Sequence, residues 1–129
     1  ELDFNTVTDV YHKSPEIQEV VKPFKEYLGR SHVLYLPAGG YFPPHRDLPH
    51  YREDQQSMRI LIPLQDCNPP WMYFIHDGNI LNFEHGRAYF VNTNKVHSLF
   101  SFRDSYMIVL NVQSNSNTYE IIGNNFQNR

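Results

Sequence analysis

Beyond residue 31 the chain is written in short apolar runs, and Gly, Pro, Asn or Asp breaks them about every 8–12 residues. This pattern predicts strands over 32–36, 41–46, 58–64, 71–75, 79–83, 87–91, 96–102 and 106–112, with 118–122 as a last edge strand. Asp77-Gly78 between two such runs signals a hairpin, and Pro37-Ala38-Gly39-Gly40 signals a turn. Before residue 31 the period changes. Ile17, Val20, Val21, Phe24 and Leu28 recur at steps of three and four, one face of a helix over 15–28. Ser14 is placed to cap it, Pro15 to open it and Gly29 to close it, while Pro23 should kink it. Residues 1–13 fit a short strand or turn, and 114–117 and 123–129 look loose. The expected fold is mainly β, a sandwich or barrel of about eight strands with an N-terminal helix buttressing its outside.

Size and charge narrow the classes. A chain of 129 residues supports one core, so 1–129 is read as a single domain, with a helical flank over 1–30 and a β core over 31–122. Aromatic residues are 15% of the chain, so rings supply much of the burial. A net charge of −3 argues against nucleic acid as the main partner. Cys67 is the only cysteine, which excludes an internal disulfide and gives no sign of an oxidising compartment. No apolar stretch approaches the ~18 residues that spanning a membrane requires, and a soluble cytoplasmic protein is expected.

Candidate chemistry gathers in 35–47. Residues two apart on an extended strand face the same way, so His45 and Asp47 offer an imidazole and a carboxylate from one wall. His97 lies in an apolar, β-rich stretch 50 residues beyond Asp47. One strand brought opposite the other would complete a two-histidine, one-carboxylate face on a metal ion. Such a face leaves positions open for a co-substrate and O₂ on non-haem Fe(II). The residues alone do not single out this triad among seven histidines. His12 and His32 have no carboxylate at strand spacing, and His50 falls in the polar 47–56 loop, where it can border a substrate mouth. His76 and His85 sit beside turn residues and should be exposed.

The run Tyr35-Leu36-Pro37-Ala38-Gly39-Gly40-Tyr41-Phe42-Pro43-Pro44-His45-Arg46-Asp47 resembles the first metal-binding strand of Fe(II)/2-oxoglutarate-dependent oxygenases, especially the prolyl-hydroxylase type. Met58-Arg59-Ile60-Leu61-Ile62-Pro63-Leu64, Gly86-Arg87-Ala88-Tyr89-Phe90-Val91-Asn92-Thr93 and Lys95-Val96-His97-Ser98 resemble the aspartyl/asparaginyl β-hydroxylase and proline-hydroxylase branch. The resemblance covers 32–113 in order. It implies a double-stranded β-helix with iron on His45, Asp47 and His97. It also implies 2-oxoglutarate and O₂ as co-substrates, and hydroxylation of a C–H bond in an amino acid, peptide side chain or small metabolite, with release of succinate and CO₂. The carboxylate Asp47 favours hydroxylation over halogenation, because a halide needs that ligand position vacant.

2-Oxoglutarate also needs a cation for its distal carboxylate, and a guanidinium bonds it best. Many relatives carry that cation nine to eleven residues after the distal histidine, where this chain has Tyr106, Met107 and Ile108. Arg59 is the favoured substitute, since an unpaired charge on an apolar strand is costly to bury. Arg103 is the other candidate, although Arg103-Asp104-Ser105 also reads as a solvated turn. Tyr35 matches a tyrosine that bonds the co-substrate in prolyl-hydroxylase relatives. The competing expectation is a cupin-type metalloprotein of other function, which needs no such cation. A third is an aromatic binding groove with no metal at all.

Overall fold

The computed structural model describes residues 15–29, 31–47, 50–52 and 55–126. They form α1 (Pro15–Val21), a 3-10 helix (Lys22–Tyr27), β1 (His32–Leu36), β2 (Tyr41–His45), β3 (His50–Arg52), β4 (Gln55–Gln65) and β5 (Met72–His76). Then come β6 (Asn79–Leu81), β7 (Tyr89–Val91), β8 (His97–Ser101), β9 (Ser105–Gln113) and α2 (Ser116–Phe126). All strand pairs are antiparallel. One sheet runs β1-β9-β4, with β3 and β7 sharing the far edge of β4; the other runs β2-β8-β5-β6. Successive elements β1 and β2, and again β8 and β9, lie in different sheets, so the chain winds back and forth between the two layers. That interleaved order is the jelly roll, or double-stranded β-helix.

Two apolar clusters hold the layers. Leu61, Met72, Phe74, Leu99, Met107 and Val109 pack between the sheets. Ile60, Ile62, Ile108, Leu110 and Val112 project from the opposite face of β4 and β9, where Val21 and Phe24 cover them. Strands buried on both faces read as continuous apolar runs rather than alternating ones, which is why 58–64 and 106–112 stand out in the sequence. Cys67 is wholly buried, its thiol donating to the carbonyls of Gln65 and Tyr106, and burial pushes its pKa up. It is a packing residue.

Local signals explain where the elements start and stop. Asp77 and Gly78 both take positive φ, 50° and 80°, the mirror-image turn that closes the β5–β6 hairpin. Gly40 has no room for a side chain: an added Cβ would stand 2.5 Å from Leu36 Cδ1 and 2.8 Å from the Pro37 carbonyl.

Four expectations are corrected. The helix over 15–28 is split, becoming 3-10 from Lys22, because Pro23 removes an N–H and crowds the preceding turn. Leu28 leaves it to bridge Val112. The polar 47–56 stretch contributes a strand, β3, on β4. Residues 118–122 are helix, not edge strand. Asn115 Oδ1 accepts from the Thr118 amide and Thr118 Oγ1 from the Asn115 amide, both at 3.0 Å, and this reciprocal cap opens α2 within the segment that looked loose. Ile121 and Ile122 then join the outer cluster, so their burial no longer needs a strand. The readings for 1–13, Ser14 and 127–129 fall outside the described residues. No described helix is long and apolar enough to cross a membrane.

Phe24, 2% exposed, ties the helical segment to β4 and β9. Phe24→Ala should cost about 3–5 kcal/mol in chemical denaturation. A loss under about 1 kcal/mol would mean that the segment is not part of the cooperative fold.

Candidate metal centre

A proline-induced irregularity aims the first histidine. β2 pairs β8 with Tyr41 opposite Phe100 and Phe42 opposite Leu99, then shifts register before His45 meets His97. Neither Pro43 nor Pro44 has an N–H to give to a ladder. Three residues on β2 therefore span two on β8, and the extra one keeps His45 on the same inner face as Phe42. Without it, His45 would point outward.

Asp47 is held differently from the expectation of one extended wall. β2 ends at His45, and the Asp47 amide donates to the Thr93 carbonyl at 2.8 Å, in the loop that leads into β8. The loop before one histidine thus fixes the carboxylate that follows the other. His45 Nε2 lies 3.5 Å from Asp47 Oδ2 and His97 Nε2 lies 3.3 Å from the same oxygen. One donor atom from each of the three residues falls within 4.8 Å of the others.

The imidazoles are set for ligation. His45 Nδ1 is 2.6 Å from the Pro43 carbonyl and His97 Nδ1 is 2.8 Å from the Lys95 carbonyl. A carbonyl only accepts, so each Nδ1 carries a proton, and Nε2, which faces Oδ2, is the nitrogen left to offer a metal ion. Donors ~2.1 Å from one ion stand about 3.0 Å apart at right angles and about 3.4 Å apart at tetrahedral angles. The two histidine–carboxylate spacings, 3.5 and 3.3 Å, are close to those values. His97 is 4% exposed, whereas His45 and Asp47 are about one-third exposed, so the centre is seated inside and open on one side.

Beside it is a cavity of about 170 Å³ lined by Leu34, Leu61, Phe74, Leu99 and other apolar side chains. Arg59 also lines it, from the inner face of β4. Its Nη1 donates to Asp47 Oδ2 at 3.0 Å, and its Nε donates to Asn111 Oδ1 at 3.1 Å, Asn111 being its register partner on β9. The partners of this partly buried guanidinium are therefore the Asp47 carboxylate and a cross-strand amide.

The other singled-out residues are scattered. Tyr35 stacks on Tyr106, ring centroids 4.9 Å apart, and does not line the cavity. The alternation of β1 turns His32 and Leu34 inward and Tyr35 outward. Arg103 is also away from the cavity, lying over the Trp71 ring at 3.3 Å. His76 meets the Asn92 carbonyl at 2.8 Å, and the exposed His85 accepts the Cys67 amide. The His50 side chain and His12 fall outside what is described.

Sequence reasoning passed over three cavity neighbours. His32 lines the cavity through strand parity, which a search for nearby carboxylates does not register. Asn111 is a lone amide in the apolar run of β9, a signal available in the sequence. Thr93 is 3% exposed, and its Oγ1 has no hydrogen-bond partner among the described residues.

No family model matches the chain, and no curated protein matches it. Among solved structures it is similar to a conserved Streptococcus pyogenes protein of unknown function, at TM-score 0.49 and 14% identity, over 70% of this chain and 68% of that one. A predicted oxalate decarboxylase of Thermotoga maritima gives TM-score 0.49 and 15% identity over 75% and 74%. A Pseudomonas putida prolyl-4-hydroxylase gives 0.47 and 17% over 77% of this chain and 59% of that one. All three scores lie below 0.5, so the jelly-roll assignment rests on strand order.

His97→Ala should weaken Mn(II) binding by at least about a hundredfold in a calorimetric titration, since losing only an outer-shell partner costs 10–100-fold. Unchanged affinity in a folded variant would remove His97 from the centre.

Proposed function

We propose that this chain is an Fe(II)- and 2-oxoglutarate-dependent dioxygenase that hydroxylates a C–H bond of an amino acid, peptide side chain or small metabolite. The observation that carries the reading is the convergence of His45 Nε2, His97 Nε2 and Asp47 Oδ2 at the wall of a mostly apolar cavity. Two nitrogens and one carboxylate on one face of an ion leave its other positions open. Iron bound there supplies the oxidative decarboxylation of 2-oxoglutarate by O₂ and the oxidation of a substrate C–H bond.

The chain's own residues supply the setting. His45 and His97 keep Nδ1 protonated against backbone carbonyls, so both rings hold one orientation. Leu34, Leu61, Leu99 and Phe74 make much of the cavity wall apolar, which strengthens any charge interaction made against it. Arg59 is the cation assigned to the distal carboxylate of 2-oxoglutarate. It is the sole arginine or lysine among the described cavity-lining residues, whereas Arg103 is committed to Trp71. The inner face of β9 presents Met107 and Val109 to the cavity, neither of them cationic.

One observation favours a second reading, a jelly-roll metalloprotein that uses no 2-oxoglutarate. The Arg59–Asp47 contact of 3.0 Å gives the guanidinium a structural partner already. The two readings part in one assay. Protein loaded anaerobically with Fe(II) and 2-oxoglutarate should release succinate and CO₂ when O₂ is admitted, and Asp47→Ala should release none. Tight iron binding without succinate would favour the metalloprotein.

If Arg59 bonds the distal carboxylate, its charge-assisted bond contributes on the order of 1.5–3 kcal/mol. Arg59→Gln should then raise the 2-oxoglutarate concentration for half-maximal succinate release by roughly 10–100-fold, at about 1.4 kcal/mol per decade. An unchanged requirement would place the anchor elsewhere.

A further inference from the structure

Three histidines stand in one row across the second sheet. His97 on β8 is the register partner of His45 on β2 and, on its other side, of His76 on β5. Cross-strand partners share a face of the sheet, so His76 enters the row from the same side as the two candidate ligands. It is not turned toward them. Its Nε2 is 2.8 Å from the Asn92 carbonyl, and because a carbonyl only accepts, that nitrogen carries a proton and donates it. His76 does not line the cavity either.

Asn92 opens the 92–96 loop, which carries the chain from β7 in one sheet to β8 in the other. The end of β5 grips that loop twice. His76 takes the Asn92 carbonyl, and the amide of the next residue, Asp77, donates to the Val96 carbonyl at 2.8 Å. Between the two grips the loop turns its other carbonyls to the candidate centre. Thr93 accepts from the Asp47 amide at 2.8 Å, and Lys95 accepts from His97 Nδ1 at 2.8 Å. The loop's own bonds return to Asn92: the Lys95 amide meets its carbonyl at 3.2 Å and the Asn94 amide its Oδ1 at 3.1 Å. A shift at Asn92 therefore moves the carbonyls of 93 and 95 together.

We propose that His76 is a positioning residue for the metal centre. By holding the Asn92 carbonyl it fixes the 92–96 loop, and through that loop the Asp47 carboxylate and the His97 ring. The inference rests on His45, Asp47 and His97 binding a metal ion, and not on oxygenase chemistry. Asp47 depends most on it, because it lies past the end of β2 and takes its backbone position from the Thr93 carbonyl.

The test is a calorimetric titration with Mn(II) on three replacements of His76. Gln carries an N–H at about the reach of Nε2, Asn carries one that falls short, and Ala carries none. His76→Ala and His76→Asn should bind Mn(II) about tenfold more weakly or worse, the usual cost of losing an outer partner, and His76→Gln should stay within about threefold of wild type. Thermal unfolding of the metal-free proteins should shift by no more than about 5 °C, since His76 is only half-buried. A second readout needs no metal. Exchange of the Asp47 amide should quicken roughly two- to tenfold in His76→Ala, the weight of one hydrogen bond, and return in His76→Gln. Amides of α2, on the outer face of the other sheet, should not change, whereas a general loosening would move both.

Unchanged Mn(II) affinity or unchanged Asp47 exchange in a folded His76→Ala protein would overturn the proposal. So would a His76→Gln protein as weak as His76→Ala, because the link would then not be the Nε2 hydrogen bond. If His76→Ala does not fold, the Gln and Asn variants decide. A wild type that takes up no Mn(II) overturns this proposal together with the metal centre, whereas absence of succinate from 2-oxoglutarate sinks the oxygenase reading alone.

Discussion

A single carboxylate oxygen is the point on which the candidate site converges. Asp47 Oδ2 is within 3.5 Å of both imidazole Nε2 atoms and within 3.0 Å of the Arg59 guanidinium. Four residues from β2, the loop after it, β4 and β8 thus meet at one atom. Each is brought there by a backbone device. The Pro43-Pro44 irregularity turns His45 inward, the Thr93 carbonyl holds the Asp47 amide, and the β4–β9 register sets Asn111 against Arg59. Arg59, from one sheet, brings the cationic partner of that oxygen, and the other sheet brings the two imidazole nitrogens.

The fold explains why such a centre stays put. β4 and β9 are packed on both faces, against the facing sheet and against Val21, Phe24 and the isoleucines of α2. Arg59 therefore projects from a strand fixed by burial on either side of it. His97 sits on β8, paired to β2 on one edge and β5 on the other. Side chains on central strands lose little further freedom on binding a ligand, which favours preorganised ligation.

What was legible in the sequence was local. The strand periods of 32–36 and 58–64, the Asp77-Gly78 hairpin and the His45-x-Asp47 spacing each depend on neighbours within a few residues. What escaped depends on register or competing local chemistry. The isoleucines at 121 and 122 look like strand, yet the Asn115–Thr118 cap wins because it supplies partners for the first amides of a helix. Asp47 was named from strand parity, although it lies past the end of β2 and is positioned by Thr93, 46 residues on in a different loop. Tyr35 fits a motif by spacing, but the alternation that brings His32 and Leu34 to the cavity sends it outward. The partner of Arg59 could not be read at all, because Asp47 and Arg59 meet only through the packing of one sheet against the other.

The central claim is that His45, Asp47 and His97 hold one metal ion whose open positions face the Arg59 cavity. The most direct measurement is anomalous diffraction at the iron edge from crystals grown without oxygen in Fe(II) and 2-oxoglutarate. The account predicts one strong peak about 2.0–2.2 Å from both Nε2 atoms and an Asp47 carboxylate oxygen, with the co-substrate's distal carboxylate on Arg59. Iron bound away from these three residues, or no iron in well-ordered crystals, would contradict it.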